Sequence, residues 1–146
     1  MPVEPNQFDD EQLAEIRKNQ LDPIVHYLIV RKSLGMGAGK IAAQCSHATK
    51  MLILAYNKLD ANKYHLQYSE LSLYEATKEW INTSFRTVVL VADDKQWEKI
   101  KEEVRVFIVK DAGLTEVAAG SETVLSTWPM YKSQAPKIIQ KLQTLK

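Results

Sequence analysis

The sequence predicts a single α/β domain whose sheet is covered by helices on both faces. Three observations carry this: four short runs rich in β-branched residues, helical apolar periods between them in place of hairpin turns, and a length of 146 residues that suits one core. The chain is 45% hydrophobic with only 5 glycines and 5 prolines, so burial can offset the entropy of ordering and the collagen-like and wholly disordered classes are excluded. No internal repeat is visible.

Residues 1–23 are polar and acidic, with Pro2, Pro5 and Pro23, and read as an arm in which Asp9 to Asn19 can form a short helix through Leu13 and Ile16. Residues 24–146 form the domain. Val25 to Arg31 is a continuous apolar run and reads as a buried strand, followed by a loop from Ser33 to Gly39. From Lys40 the period changes: Ile41, Cys45, Ala48, Leu52, Ala55 and Leu59 make one helical stripe toward a core, while Lys40, Gln44 and His47 line a more exposed flank. After a connection over residues 60–67, Ser69 or Ser72 can cap a second helix that runs to Trp80. Arg86 to Ala92 is the clearest strand, and Asp93 or Asp94 caps a helix through Trp97, Ile100 and Val104. Arg105 to Val109 and Thr123 to Thr127 are two more strands, and Ile138, Ile139 and Leu142 mark a last helix.

Net charge is +1, but it is unevenly spread. Residues 1–25 carry six acids against two bases, residues 26–66 carry six bases against Asp60 alone, and residues 67–146 balance. All three histidines, His26, His47 and His65, fall in the basic segment, which is the kind of local excess that phosphates need. The single Cys45 excludes an internal disulfide, and no apolar run approaches the length of a membrane span; with an acidic rather than basic start, a cytoplasmic address is expected.

The segment Gly35-Met36-Gly37-Ala38-Gly39-Lys40 is neither of the nucleotide motifs it suggests. The phosphate loop needs glycine where Leu34 stands and Ser or Thr where Ile41 stands, and the dinucleotide motif needs glycine at Lys40. What remains is glycines at a helix N-terminus next to a lysine, which suits an anion as well as a tight turn. Cys45 and His47 lie roughly 200° apart around a helix, so they cannot share a metal or act as a nucleophile pair. Asp111 directly follows a buried strand, where α/β folds place ligand chemistry, although Asp-Ala-Gly is also ordinary turn chemistry.

Taken together, Leu28-Ile29-Val30-Arg31, the run from Met36 to Ala48 (M-G-A-G-K-I-A-A-Q-C-S-H-A) and the run from Asp111 to Leu125 (D-A-G-L-T-E-V-A-A-G-S-E-T-V-L) resemble the type 2 peptidyl-tRNA hydrolases of archaea and eukaryotes. The resemblance spans about residues 26 to 146. It implies a three-layer domain with a mixed four-stranded sheet between helices, which hydrolyses the ester joining a peptide to tRNA without metal or organic cofactor. Catalytic roles map onto Lys40, Asp111 and Thr115, and substrate contacts onto Gly37, Gly39, Gln44, Ser46, His47 and Lys50. The partner implied is peptidyl-tRNA, with no membrane, and a homodimer is an open assembly. Ala38 and Ser33 stand where the family usually has lysine and often aspartate, and Ser126-Thr127-Trp128-Pro129-Met130-Tyr131 replaces its glycine- and proline-rich turn. Two other readings remain: a catalytically weak relative that binds RNA through the basic face, and a protein-interaction adaptor that uses the acidic arm and Trp128.

Overall fold

The computed structural model describes residues 9–113 and 117–146. A first helix, α1 (Asp10–Leu21), starts at Asp9, whose carboxylate accepts the Gln12 N–H at 2.7 Å while the Gln12 side chain accepts the Asp9 N–H at 2.9 Å. Then follow β1 (Ile24–Arg31), α2 (Ala38–Ala61), α3 (Tyr68–Asn82), β2 (Thr87–Ala92), α4 (Asp94–Glu103), β3 (Val106–Lys110) and β4 (Glu122–Thr127). The chain closes with β5 (Met130–Tyr131), a short α5 (Lys137–Gln140) and β6 (Gln143–Thr144).

The sheet order is β3-β4-β1-β2-β6, with β5 also paired to β1. β1 and β2 are parallel, joined by the α2–α3 crossover, and β4 runs antiparallel to both β1 and β3, so the sheet is mixed. Alternation along β1 builds the three layers. Val25, Tyr27 and Ile29 face Trp97, Ile100 and Ile139 from α4 and α5, whereas Ile24, Leu28 and Val30 face Leu52, Ala48 and Trp80 from α2 and α3. With both faces covered, the first seven residues of β1 are buried, which is why its sequence, His26 apart, reads as an apolar run without alternation.

Among the described residues the sheet has six strands in place of four. β5 and β6 are two residues each and too short to show a period, and they pair at the ends of β1 and β2. The limits of α3, α4 and α5 also differ from the expected ones. The cap of α3 is Gln67, whose N–H donates to Glu70 at 3.4 Å, and neither Ser69 nor Ser72 serves. Val104 lies one residue beyond α4, and Leu142 packs in the core from outside α5. Asp93 does cap α4, accepting the Gln96 N–H at 2.7 Å. Trp128 is buried against Phe107, with ring centroids 5.2 Å apart, so it is core and not the exposed anchor of an adaptor.

His26 also departs from expectation. It sits in β1 at 0% exposure, with Nε2 2.7 Å from Ser126 Oγ and its ring edge-on to Trp80 at 5.1 Å. The Ser126 hydroxyl donates to the Thr127 carbonyl at 3.0 Å, so the Nε2–H donates to Ser126 and bare Nδ1, which has no partner among the described residues, is the acceptor nitrogen. Burial pushes its pKa down to about 4, and it adds no charge to the basic segment. The unfolded chain takes up this proton below about pH 6.5, while the folded one stays neutral to about pH 4. Stability is therefore complete above pH 6.5 and falls as pH drops through that window. By urea unfolding, the native protein is expected to lose about 2 kcal/mol more between pH 7 and pH 5 than His26→Asn does. Equal pH dependence in the two proteins would refute this.

Candidate active site

The site forms where β1 leaves the sheet and α2 begins. After β1, a tight turn over Lys32–Leu34 leads to Gly35, in the left-handed region at φ 58°, and to buried Met36, which anchors the loop to the core. Gly37 is the N-cap of α2 and Gly39 lies in its first turn, so the helix starts two residues earlier than its apolar stripe indicates. Lys40 is the third residue of α2, and Gln44 and His47 follow it one and two turns on. β3, at the edge of the sheet, delivers Asp111 immediately after its last residue, and β4 beside it delivers Thr123.

Lys40 and Asp111 form an ion pair between side chains only 9% and 4% exposed. The Asp111 Oδ1 that takes Lys40 Nζ also accepts Gln44 Nε2 at 3.3 Å, and Oδ2 accepts the Gly113 N–H at 2.6 Å. Gln44 is oriented from its other end, because Thr123 donates its hydroxyl to Gln44 Oε1 at 2.8 Å. That bond leaves the amide nitrogen facing the carboxylate. Gln44 is 4% exposed, a buried strut and not the exposed flank residue its spacing suggests. The Asp111 backbone is pinned as well, its N–H to Ser121 O at 2.9 Å and its carbonyl to the Gly120 N–H at 2.7 Å.

Gly113 has to be glycine. Its φ is +81°, and a Cβ there would lie 2.4 Å from Ala119 Cβ. Gly113→Ala is expected to cost about 1–3 kcal/mol from backbone strain alone, plus the clash, and to exceed the cost of Gly120→Ala, which has the same φ sign but no described neighbour within 4 Å. Urea midpoints of the two variants check the order, and a smaller loss for Gly113→Ala would contradict it.

Lys40, Gln44, His47 and Asp111 line one cleft of about 940 Å³, with Gly39 at its rim and Ala43, Met51 and Ile108 giving it an apolar side. Ser46 and Lys50 do not join it. They lie on a separate groove with Thr49, Ile53 and Leu54, because their positions turn them to another side of α2. Gly37 is exposed at the N-cap and does not line the cleft, and Thr115 is outside the described residues. Thr123, which sets the Gln44 amide, belongs here although residue-by-residue reading did not nominate it, and Lys110, from the candidate segment Lys110 to Glu116, lines the cleft beside Asp111. Their signal was position, at the start and end of adjacent strands that flank Asp111.

The basic segment divides in space. Arg31 turns away to α4, with Nε 3.0 Å from Asp94 Oδ1, and Ser33 donates to the same oxygen at 2.7 Å. These two bonds hold the Asp94 carboxyl below its usual pKa. Cys45 is half-buried, packs on the core and has its thiol pKa raised by burial. Among the described residues, no group of three His, Cys, Asp or Glu side chains could hold a metal ion. Nor is any described helix long and apolar enough to cross a membrane.

The family model described as Peptidyl-tRNA hydrolase PTH2 matches residues 24–145. The chain is 32% identical to the Saccharomyces cerevisiae protein named "Peptidyl-tRNA hydrolase 2", an alignment covering 76% of this chain and 53% of the yeast protein. It is 35% identical to the Bos taurus "Peptidyl-tRNA hydrolase 2, mitochondrial", covering 70% and 53%, and 28% identical to the Methanococcus maripaludis "Peptidyl-tRNA hydrolase", covering 81% and 96%. The chain spans about half the length of the yeast and bovine relatives and nearly the whole of the archaeal one.

Proposed function

The chain belongs to the peptidyl-tRNA hydrolase PTH2 family, and from that premise we propose that it hydrolyses the ester joining a peptide to tRNA, freeing the tRNA for translation. The observation that supports this most strongly is the buried Lys40–Asp111 pair at the head of a cleft open enough for a nucleotide end and a peptide. In this reaction water adds to the ester carbonyl and an oxyanion develops. The bond to the ribose oxygen then breaks, and that oxygen takes up the proton given up by the water, leaving a peptide acid and a free hydroxyl. An ammonium carries three donors, and Lys40 directs one to Asp111, so the others can serve the oxyanion.

Asp111 accepts bonds on both oxygens from Lys40, Gln44 and Gly113. That favours a role in holding Lys40 and orienting the water over a role as proton acceptor. Gln44 positions Asp111, His47 at the cleft meets the terminal nucleotide, and Thr115 keeps the water-positioning role that its motif match implies. The apolar side formed by Ala43, Met51 and Ile108 suits the peptide.

Incubation with a peptide-blocked aminoacyl-tRNA tests this reading. Release of the peptide with recovery of intact tRNA is the expected result, and retention of the RNA without release would make the protein a binding module. A cytoplasmic site of action goes with the reading, and because the bovine relative is named mitochondrial, fractionation of the native protein is its check.

A further inference from the structure

The outer face of α2 carries chemistry that the cleft does not use. In a helix of 3.6 residues per turn, Leu54 and Lys58 continue the line of Lys40 and His47 beyond the cleft, with Lys50 beside it. Lys50, Leu54 and Lys58 are exposed, Leu54 to 62%. The only acid in this helix is Asp60, whose carboxylate accepts the Tyr74 hydroxyl at 2.5 Å.

The line ends at the corner between α2 and α3. There Tyr64 and Tyr68 are 87% and 88% exposed, and Lys63 Nζ lies 5.5 Å from the centre of the Tyr64 ring. The nearest acid on α3, Glu70, accepts the Gln67 N–H. Exposed rings set among lysines, with the neighbouring carboxylates already engaged, match RNA: phosphates on the ammonium groups, and bases or riboses against the rings. A protein partner of ordinary interface composition would meet lysines here, which such interfaces lack at their centre.

Resting on the reading of peptidyl-tRNA as substrate, we propose that Lys58, Lys63, Tyr64 and Tyr68 form a second tRNA-binding site. It lies about 27 Å along α2 from Lys40, at 1.5 Å per residue, and holds the body of the RNA while the acylated end occupies the cleft. The corner supplies affinity for whole tRNA and leaves the chemistry to the cleft.

The test uses the full chain with two exposed-surface variants, Lys58→Glu/Lys63→Glu and Tyr64→Ser/Tyr68→Ser. Deacylated tRNA is titrated at several salt concentrations, and turnover is compared on full-length peptidyl-tRNA and on a short peptidyl-oligonucleotide. Both variants are expected to bind tRNA about tenfold more weakly. The lysine variant is also expected to lose about 1.4 from the slope of log K against log salt, two contacts at about 0.7 each. KM should rise on full-length substrate and stay unchanged on the short one. A Kd within twofold of the parent protein in either variant would overturn the proposal and leave the corner to a protein partner, as would an equal loss on the short substrate. If the parent protein releases no peptide from either substrate, the hydrolase reading fails, while the tRNA titration still decides the second site.

Discussion

Lys40→Ala is expected to lower kcat for peptide release by about 10²–10³-fold, the usual cost of losing one donor aimed at developing charge, and Asp111→Asn, which loosens the hold on Lys40 and on the water, is expected to lower it by a similar factor. The pair is buried, so stability must be followed beside activity. Lys40→Ala removes the cation from a carboxylate that is 4% exposed, and breaking such a buried pair from one side costs about 3–5 kcal/mol. The double variant Lys40→Met/Asp111→Asn removes both charges and keeps the volume. Its urea midpoint should return toward that of the parent protein while its activity stays as low as in the single variants. This separation of the two readouts distinguishes a catalytic pair from a structural one. Near-normal turnover in either single variant, or activity that recovers with stability in the double, would sink the assignment.

What could be read in advance follows from the range of the forces involved. The α2 stripe and the β1 run are local patterns imposed by burial, and both elements lie within two residues of where the sequence puts them. Asp93 caps α4 through a bond to a residue three positions on, which is also local. Gln44 and Thr123 are 79 positions apart, and Lys40 and Asp111 are 71 apart. Motif resemblance nominates Lys40, Gln44 and Asp111 together, but only the sheet order, with β3 next to β4 under α2, makes one hydrogen-bonded unit of them. His26 fails differently: a histidine inside an apolar run reads as a charge until Ser126 and Trp80, brought by β4 and α3, show it to be neutral and enclosed. The choice of Gln67 over Ser72 as cap was likewise illegible, because either residue can cap and the end of the preceding turn decides which one does.

Trp80→Ala is expected to cost about 3–5 kcal/mol and to lower Tm by about 10–16 °C. Trp80 is 2% exposed and closes the cluster of Ile24, Leu52 and Trp128, on the side where α3 supports β1. Its Nε1–H donates to the Arg86 carbonyl at 2.9 Å, fixing the turn between α3 and β2. That turn holds Phe85 in the left-handed region at φ 52°, which is costly for an aromatic residue, and the Phe85 ring stacks edge-on against Trp80 at 5.2 Å. Truncation therefore removes the packed volume, the hydrogen bond and the contact that offsets the strain together. Trp80→Phe keeps most of the volume and loses the bond to Arg86, so it should fall between the parent protein and Trp80→Ala. Because α3 packs on the sheet and not on the cleft, the fraction of Trp80→Phe that remains folded should turn over substrate at the parent rate. A loss below about 1 kcal/mol for Trp80→Ala would mean that α3 is not a supporting layer of the domain, and a lowered kcat in folded Trp80→Phe would mean that its position reaches the Lys40 site through β1.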